Sequence, residues 1–268
     1  MIGRILAVAS NTRREAFRNR AFVVIVVLGL LLMAAGWSLS KLAVTSQSVR
    51  VIQNFGYFAV SFTSSVTAIM MGVILLYKEL DRKTIFTLIP KPVMRYEIIL
   101  GKFLGLVTLI MGLIAFLGIC WMGVMNFLDA LEVAGQSVSH NVLASLVLMA
   151  FEAILVTGLA LLFSSWTRPF LSGMFTFGYW LMGRTVFLLH EHLAAKNGAL
   201  AEDGPMRSLV EGIVVVIPDL QVFNVSRELA LGIDVSWSYV MAAGGYSLGF
   251  TAVFLALGVL LFSRRDFV

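Results

Sequence analysis

Apolar residues in this chain arrive in blocks and not in alternation. Six blocks run for about 20 residues or more: Phe22–Leu42, Tyr57–Leu76, Phe103–Phe127, Val142–Ser164, Phe170–Leu189 and Val240–Phe262. About 20 apolar residues in a helix span a hydrocarbon core of roughly 30 Å. Inside that core the backbone must satisfy its own hydrogen bonds, which favours helices. The pattern predicts an all-α integral membrane protein with six transmembrane helices. Arginines precede the first block, as they do in a signal peptide. That block is longer than the roughly 7–15 apolar residues of such a peptide, so it reads as a retained span.

Two segments outside the blocks also carry a pattern. Ile2, Ile5, Leu6, Ala9, Ala16 and Phe17 recur near helical spacing, with arginines between them. That predicts a basic amphipathic helix over 1–20 lying in the headgroup plane, with Arg13, Arg14, Arg18 and Arg20 as interfacial anchors. The alternative is a disordered basic tail. The stretch 190–239 is about half apolar, but its runs, Leu209–Val216 and Leu220–Leu231, are too short to span and are parted by Pro218. Extracytoplasmic half-helices that dip into or rest on the outer leaflet fit it better. No repeat is visible, so the expectation is a single transmembrane domain over 1–268.

Charge orients the spans. Only 13% of residues are charged, mean hydropathy is +0.93 and net charge is +5; a soluble domain carries roughly 25% charged residues. With the N-terminus inside, about 14 of the 20 Lys and Arg residues fall on the inner side, and the outer loop Leu128–Asn141 has none. Both termini are therefore expected to be cytoplasmic. The positive charge sits at membrane edges, where it meets anionic lipid, and does not indicate nucleic-acid binding.

Candidate chemistry is sparse. There is no phosphate-binding G-x-x-x-x-G-K-[ST] loop and no G-x-G-x-x-G, so the chain is not expected to bind a nucleotide. No Ser/His/Asp elbow or H-E-x-x-H occurs, and no catalytic residue is assigned. His190-Glu191-His192 places its histidines on different helix faces, and no metal site is expected. The single cysteine, Cys120, lies in an apolar block and reads as a small packed side chain. Asn224-Val225-Ser226 matches a glycosylation sequon, a pattern common by chance. Two ionisable residues sit within blocks, Glu152 and Arg184. An intramembrane charge costs roughly 2.5–3.5 kcal/mol and normally has a partner or a purpose. Their depths in adjacent antiparallel spans differ by only about 6 Å at 1.5 Å per residue, so an arginine bending along the bundle can meet the carboxylate. An intramembrane charge pair is expected, with a structural role or a substrate or proton site as its two readings. Gly101-x-x-x-Gly105 and Gly245-x-x-x-Gly249 permit close helix approach.

The segment Tyr77–Lys102, YKELDRKTIFTLIPKPVMRYEIILGK, stands apart: it carries six Lys or Arg residues and is too long for a turn. KPVMRYEIILGKFLG resembles the cytoplasmic loop of ABC-2 type permeases, the membrane subunits of bacterial ABC exporters. The family pattern falls on Glu79, Thr84, Pro90, Arg95, Glu97, Gly101 and Lys102; Lys83 departs from it, standing where a glycine is common. The segment IPDLQVFNVSRELALG and a last span closing in FSRRDF are also similar to such subunits.

The resemblance implies a non-catalytic permease subunit of the bacterial cytoplasmic membrane. It would pair with a second permease subunit, as a homo- or heterodimer, and with two copies of a cognate ABC ATPase. ATP and Mg would then be bound by that partner and not by this chain. The loop 77–102 would hold a short coupling helix docked on the ATPase. Glu79, Asp81, Arg82 and Lys83 would supply charge, Ile85, Phe86 and Leu88 an apolar face, and Thr84, Pro90 and Arg95 the remaining motif positions. Pro90 and Pro92 would stiffen its middle by fixing φ. Lys102 would anchor its exit at the headgroups. The bland alternative is a solvated basic loop that only sets topology. Two other functions stay open: the same ATP-driven motion applied to a periplasmic partner or to lipid or lipoprotein extraction, and a stand-alone secondary transporter.

Overall fold

The structure is a computed structural model that describes residues 2–42, 48–81, 94–128, 132–133, 136–137, 139–194, 212 and 216–263. It is helical almost throughout. The helices are α1 (Ile2–Phe17), α2 (Arg20–Ser40), α3 (Ser48–Asp81), α4 (Arg95–Phe127), α5 (Ser139–Trp166), α6 (Pro169–Ala194), α7 (Ser226–Leu231) and α8 (Trp237–Ser263), with a 3-10 turn at Leu220–Phe223. One feature lies outside the all-α expectation. Two-residue strands β1 (Glu132–Val133) and β2 (Gln136–Ser137) pair antiparallel between α4 and α5.

Among the described residues five helices are long and apolar enough to cross a membrane: α2, α3, α4, α5 and α8. The predicted span Phe170–Leu189 falls in α6, a helix of 26 residues that is not among the five. Three glycines, Tyr179, Trp180 and Arg184 dilute its apolar run. Helices α3 and α4 are longer than their apolar blocks. The second begins at Arg95, so the last turns of the charged segment are already helix.

Burial ranks the five helices. In α3 and α5, 72% and 67% of the apolar window is buried, against 28% in α2 and α8. Helices α3 and α5 are therefore the axis of the bundle and α2 and α8 its flanks. The core between them holds Trp121, Met71, Leu75, Leu106, Leu117 and Met125, all nearly inaccessible. Trp121 lies over Gly56, where a side chain would collide with the indole. Hydroxyls of α3 that face this core bond back to their own helix: Ser64 Oγ donates to the Ser61 carbonyl and Thr67 Oγ1 to that of Thr63. Such back-bonding satisfies a hydroxyl where no water can.

The N-terminal residues expected to form a helix do so over Ile2–Phe17, and one side of that helix packs inside the protein. Ala9, Thr12 and Ala16 are buried, whereas Ile2, Leu6 and Phe17 are exposed. The partner surface is Gly101-x-x-x-Gly105 of α4. A Cβ at Gly101 would lie 2.6 Å from Val8 Cβ, and one at Gly105 would lie 2.6 Å from the Ala9 carbonyl oxygen. Small residues on both helices let the backbones touch. Arg13, Arg14, Arg18 and Arg20 all remain exposed. The Asn19 side chain caps α2 by accepting from the Ala21 N–H at 3.0 Å.

Candidate functional site

Two regions concentrate the polar chemistry. The first lies deep in the bundle. Arg184 Nη2 donates to both carboxylate oxygens of Glu152, at 2.7 and 3.0 Å, and to Ser61 Oγ at 2.8 Å. Trp180, one turn before Arg184 on α6, donates its indole N–H to Glu152 Oε1 at 3.2 Å, and Ser65 Oγ reaches the same oxygen at 3.4 Å. The guanidinium also sits over the Trp180 ring, 5.5 Å from its centroid. The Glu152 side chain is 2% exposed and that of Arg184 21%. Three helices thus meet at one ion pair: α3 through Ser61 on the guanidinium and Ser65 on the carboxylate, α5 through Glu152, and α6 through Trp180 and Arg184. A buried carboxylate is tolerated when its lone pairs are filled this way.

The cluster adjoins the segment before α8. Gly183 lies against Leu220 and the Pro218 carbonyl, so that segment reaches the level of Arg184. It is held by side chains from several helices. Tyr57 of α3, one turn from Ser61, donates to the Phe223 carbonyl at 3.0 Å and accepts from the Val225 N–H at 3.3 Å. Tyr246 of α8 accepts from the Asp219 N–H, and Tyr239 donates to the Val222 carbonyl. Tyr179 of α6 donates to the Val216 carbonyl. Asn141 of α5 donates to the Ile233 carbonyl and accepts from the Val235 N–H. Leu220 and Phe223 are buried, and α7 ends at Gly232 in the left-handed region with φ 69°. Asn224 serves this fold locally: its Oδ1 accepts from the Ser226 N–H and its Nδ2 donates to Gln221.

The second region is the pair of helix ends that bracket the charged connection. Glu79 and Asp81 lie in the final turn of α3, and Arg95 opens α4. Arg82, Lys83, Thr84, Ile85, Phe86, Leu88 and Pro90 lie outside the described residues. Lys102 requires a correction. It does not reach for headgroups; it is 1% exposed, and its ammonium donates to the Leu75 carbonyl at 2.6 Å. This ties α4 to α3 just where the apolar part of α3 ends. Glu97 is buried too, accepts from the Met94 N–H at 3.0 Å, and faces Arg4 of α1 at 3.9 Å. The side of α4 that faces α1 and α3 decides this arrangement, and position in the sequence alone does not reveal that side.

Of the aromatic residues on α6, Phe170, Phe175 and Phe177 are exposed, whereas Trp180 is buried in the charge cluster. Cys120 is half-buried at the edge of the core. Among the described residues no group of three His, Cys, Asp or Glu side chains could hold a metal ion.

A search of curated protein sequences found no match. The family model described as "ABC-2 family transporter protein" matches residues 6–267. With a family match over nearly its whole length and five described helices long and apolar enough to cross a membrane, this chain is a multi-pass membrane protein that belongs to the ABC-2 transporter family.

Proposed function

We propose that the chain is the permease subunit of an ATP-driven exporter, coupled to a separate ATPase through residues 77–102. The observation that carries this reading is the anchoring of both exits of that segment. Lys102 bonds the start of α4 to Leu75 of α3, and Glu97 joins α4 to α1. A connection can transmit force into a bundle only if its ends are fixed to it, and here both ends are. On this reading α6 is the sixth span, its buried charge is accommodated by Glu152, and both termini face the cytoplasm of a bacterial inner membrane. The active unit is two permease chains with two ATPase subunits, which bind ATP and Mg. Glu79, Asp81, Arg82, Lys83, Thr84, Ile85, Phe86, Leu88, Pro90 and Arg95 form or flank the ATPase contact. The chain itself is non-catalytic.

The Glu152–Arg184 cluster then serves as the internal joint on which force converges. It connects α3, which leads directly from the coupling segment, to α5, α6 and the tyrosine-held outer segment. A second reading, in which the same motion works a periplasmic partner or extracts a lipid or lipoprotein, is favoured by the ordering of residues 216–235 by four tyrosines.

The experiment is co-purification of the full chain with the ATPase that accompanies it, followed by ATP turnover in proteoliposomes. A stable complex whose turnover collapses on Glu79→Ala or Arg82→Ala supports the proposal. Transport by the lone chain driven by an ion gradient would overturn it in favour of a secondary transporter.

A further inference from the structure

The outward side of α8 carries a continuous apolar groove. Its wider part, about 710 Å³, runs between α5, α6 and α8, lined by Phe163, Tyr179, Tyr246, Phe254 and Leu257. A second part of about 380 Å³ continues it, shares Leu162, Phe163 and Leu257, and ends at Trp166 and Leu261. From Gly245 to Leu261 the groove follows about 24 Å of helix at 1.5 Å per residue. That is most of a hydrocarbon core of roughly 30 Å.

Gly245 and Gly249 line the wider part, and a Cβ on either would meet nothing within 4 Å. Unlike Gly101 and Gly105, this pair has no partner helix among the described residues. One wall is a run of touching rings, from Tyr246 through Phe250 and Phe254 to Tyr179 and Phe163. At the other end, Trp166 is 63% exposed, and Arg168, two residues on, is exposed at the junction of α5 and α6.

We infer that this groove is a binding site for an anionic membrane glycerophospholipid. One acyl chain lies along α8 and the phosphate lies at Arg168. Shape suits an extended acyl chain: the groove is linear, runs about 24 Å along α8 and is walled by rings on one side. Charge argues for an anionic headgroup: an exposed cation, Arg168, lies two residues beyond the exposed Trp166 that ends the groove, and such a pairing marks the headgroup level. A chain entering at Leu261 and filling one leaflet, about 15 Å, brings its methyl end to the neighbourhood of Gly249. This site goes beyond the coupling mechanism and does not depend on it.

The test uses the purified full chain and phosphatidylglycerol with a photoreactive group at the end of one acyl chain. Label is expected on the α5 and α8 peptides that line the groove, severalfold above that on the exposed face of α2. Leu257→Trp and Gly249→Phe each fill the groove, and each should cut this labelling by about tenfold, because burial of the chain methylenes drives the binding. Circular dichroism and elution volume should stay unchanged. Arg168→Ala should abolish the advantage of phosphatidylglycerol over phosphatidylcholine as competitor. Equal labelling of α2 and the groove, or labelling indifferent to both filling substitutions, would mean annular lipid only and overturn the site. A disulfide-linked dimer formed through Gly249→Cys in a Cys120→Ser background, with loss of label, would assign the groove to a second copy and overturn it as well. An unchanged lipid preference in Arg168→Ala would remove the headgroup assignment.

Discussion

One nitrogen of Arg184, Nη2, bonds both oxygens of Glu152, and the same carboxylate takes the Trp180 indole N–H from one helical turn earlier. Two residues of α6 thus grip one residue of α5, with Ser61 of α3 completing the set.

The size of the loss on breaking this contact reports its nature. Arg184→Ala leaves a carboxylate that is 2% exposed without its cation. Removing one partner of a buried ion pair costs about 3–5 kcal/mol. An ordinary interhelical hydrogen bond in a membrane averages about 0.6 kcal/mol. We expect the larger value, read as a lowered unfolding midpoint in detergent. The double substitution Glu152→Gln with Arg184→Gln should recover a substantial part of it. A loss near the smaller value in the single variant would show that no charge pair is at stake.

The seat of α1 makes a second prediction. Gly101→Leu and Gly105→Leu push a side chain into Val8 and into the Ala9 carbonyl, respectively. Overpacking of this kind costs about 1–3 kcal/mol. The expected outcome is a displaced α1, seen as faster amide exchange across Ile2–Phe17. Gly112→Leu, on the same helix with nothing within 4 Å, is the control and should leave exchange unchanged.

How much of this was legible in sequence depends on what each signal encodes. The apolar blocks gave the helices because length against bilayer thickness needs no knowledge of neighbours. The Glu152–Arg184 contact followed from depth alone, since two charges in antiparallel neighbours have few other places to go. Trp180, Ser61 and Ser65 were missed: α3 is buried on most sides, so no periodicity marks which of its hydroxyls faces the charge. Lys102 was misread for a related reason. A lysine at the edge of an apolar block looks like an interfacial anchor, and only the packing of α4 on α3 turns its ammonium toward the Leu75 carbonyl. The side of α1 that packs on the protein was not legible, because a glycine-lined partner selects small residues and leaves the large apolar ones exposed. Helix α6 falls short of the other five in hydropathy because Trp180 and Arg184, which build the cluster, lower it together with Tyr179 and three glycines.

The segment before α8 should loosen through one hydroxyl. Tyr57→Phe keeps the ring but orphans the Phe223 carbonyl and the Val225 N–H, both bonded to that oxygen. Leaving buried polar groups unpaired costs about 1–3 kcal/mol. Amide exchange over 220–231 is expected to speed up while α3 and α5 stay protected. Tyr246→Phe removes only the partner of the Asp219 N–H, so its effect should be smaller and confined to the start of the segment. Equal effects across the whole segment from both variants would argue against local clamping.

Lys102 separates folding from coupling. Lys102→Met preserves length and buries no charge, while the Leu75 carbonyl, which lies inside α3, keeps its helical position and loses only the additional ammonium donor. The cost of that lost charge-assisted bond is about 1.5–3 kcal/mol, offset in part because a buried ammonium no longer has to be desolvated. The variant is therefore expected to fold, with an unfolding midpoint close to the parent's. If the α3–α4 tie transmits motion from residues 77–102, transport per ATP hydrolysed should fall severalfold while the partner ATPase still binds and turns over. The comparison is a ratio of two rates measured on the same proteoliposomes, so a change in yield does not enter it. A variant that loses ATPase binding would place Lys102 in assembly of the complex. One that keeps the full ratio would show that the tie is dispensable and that force enters through α1 and Glu97 instead.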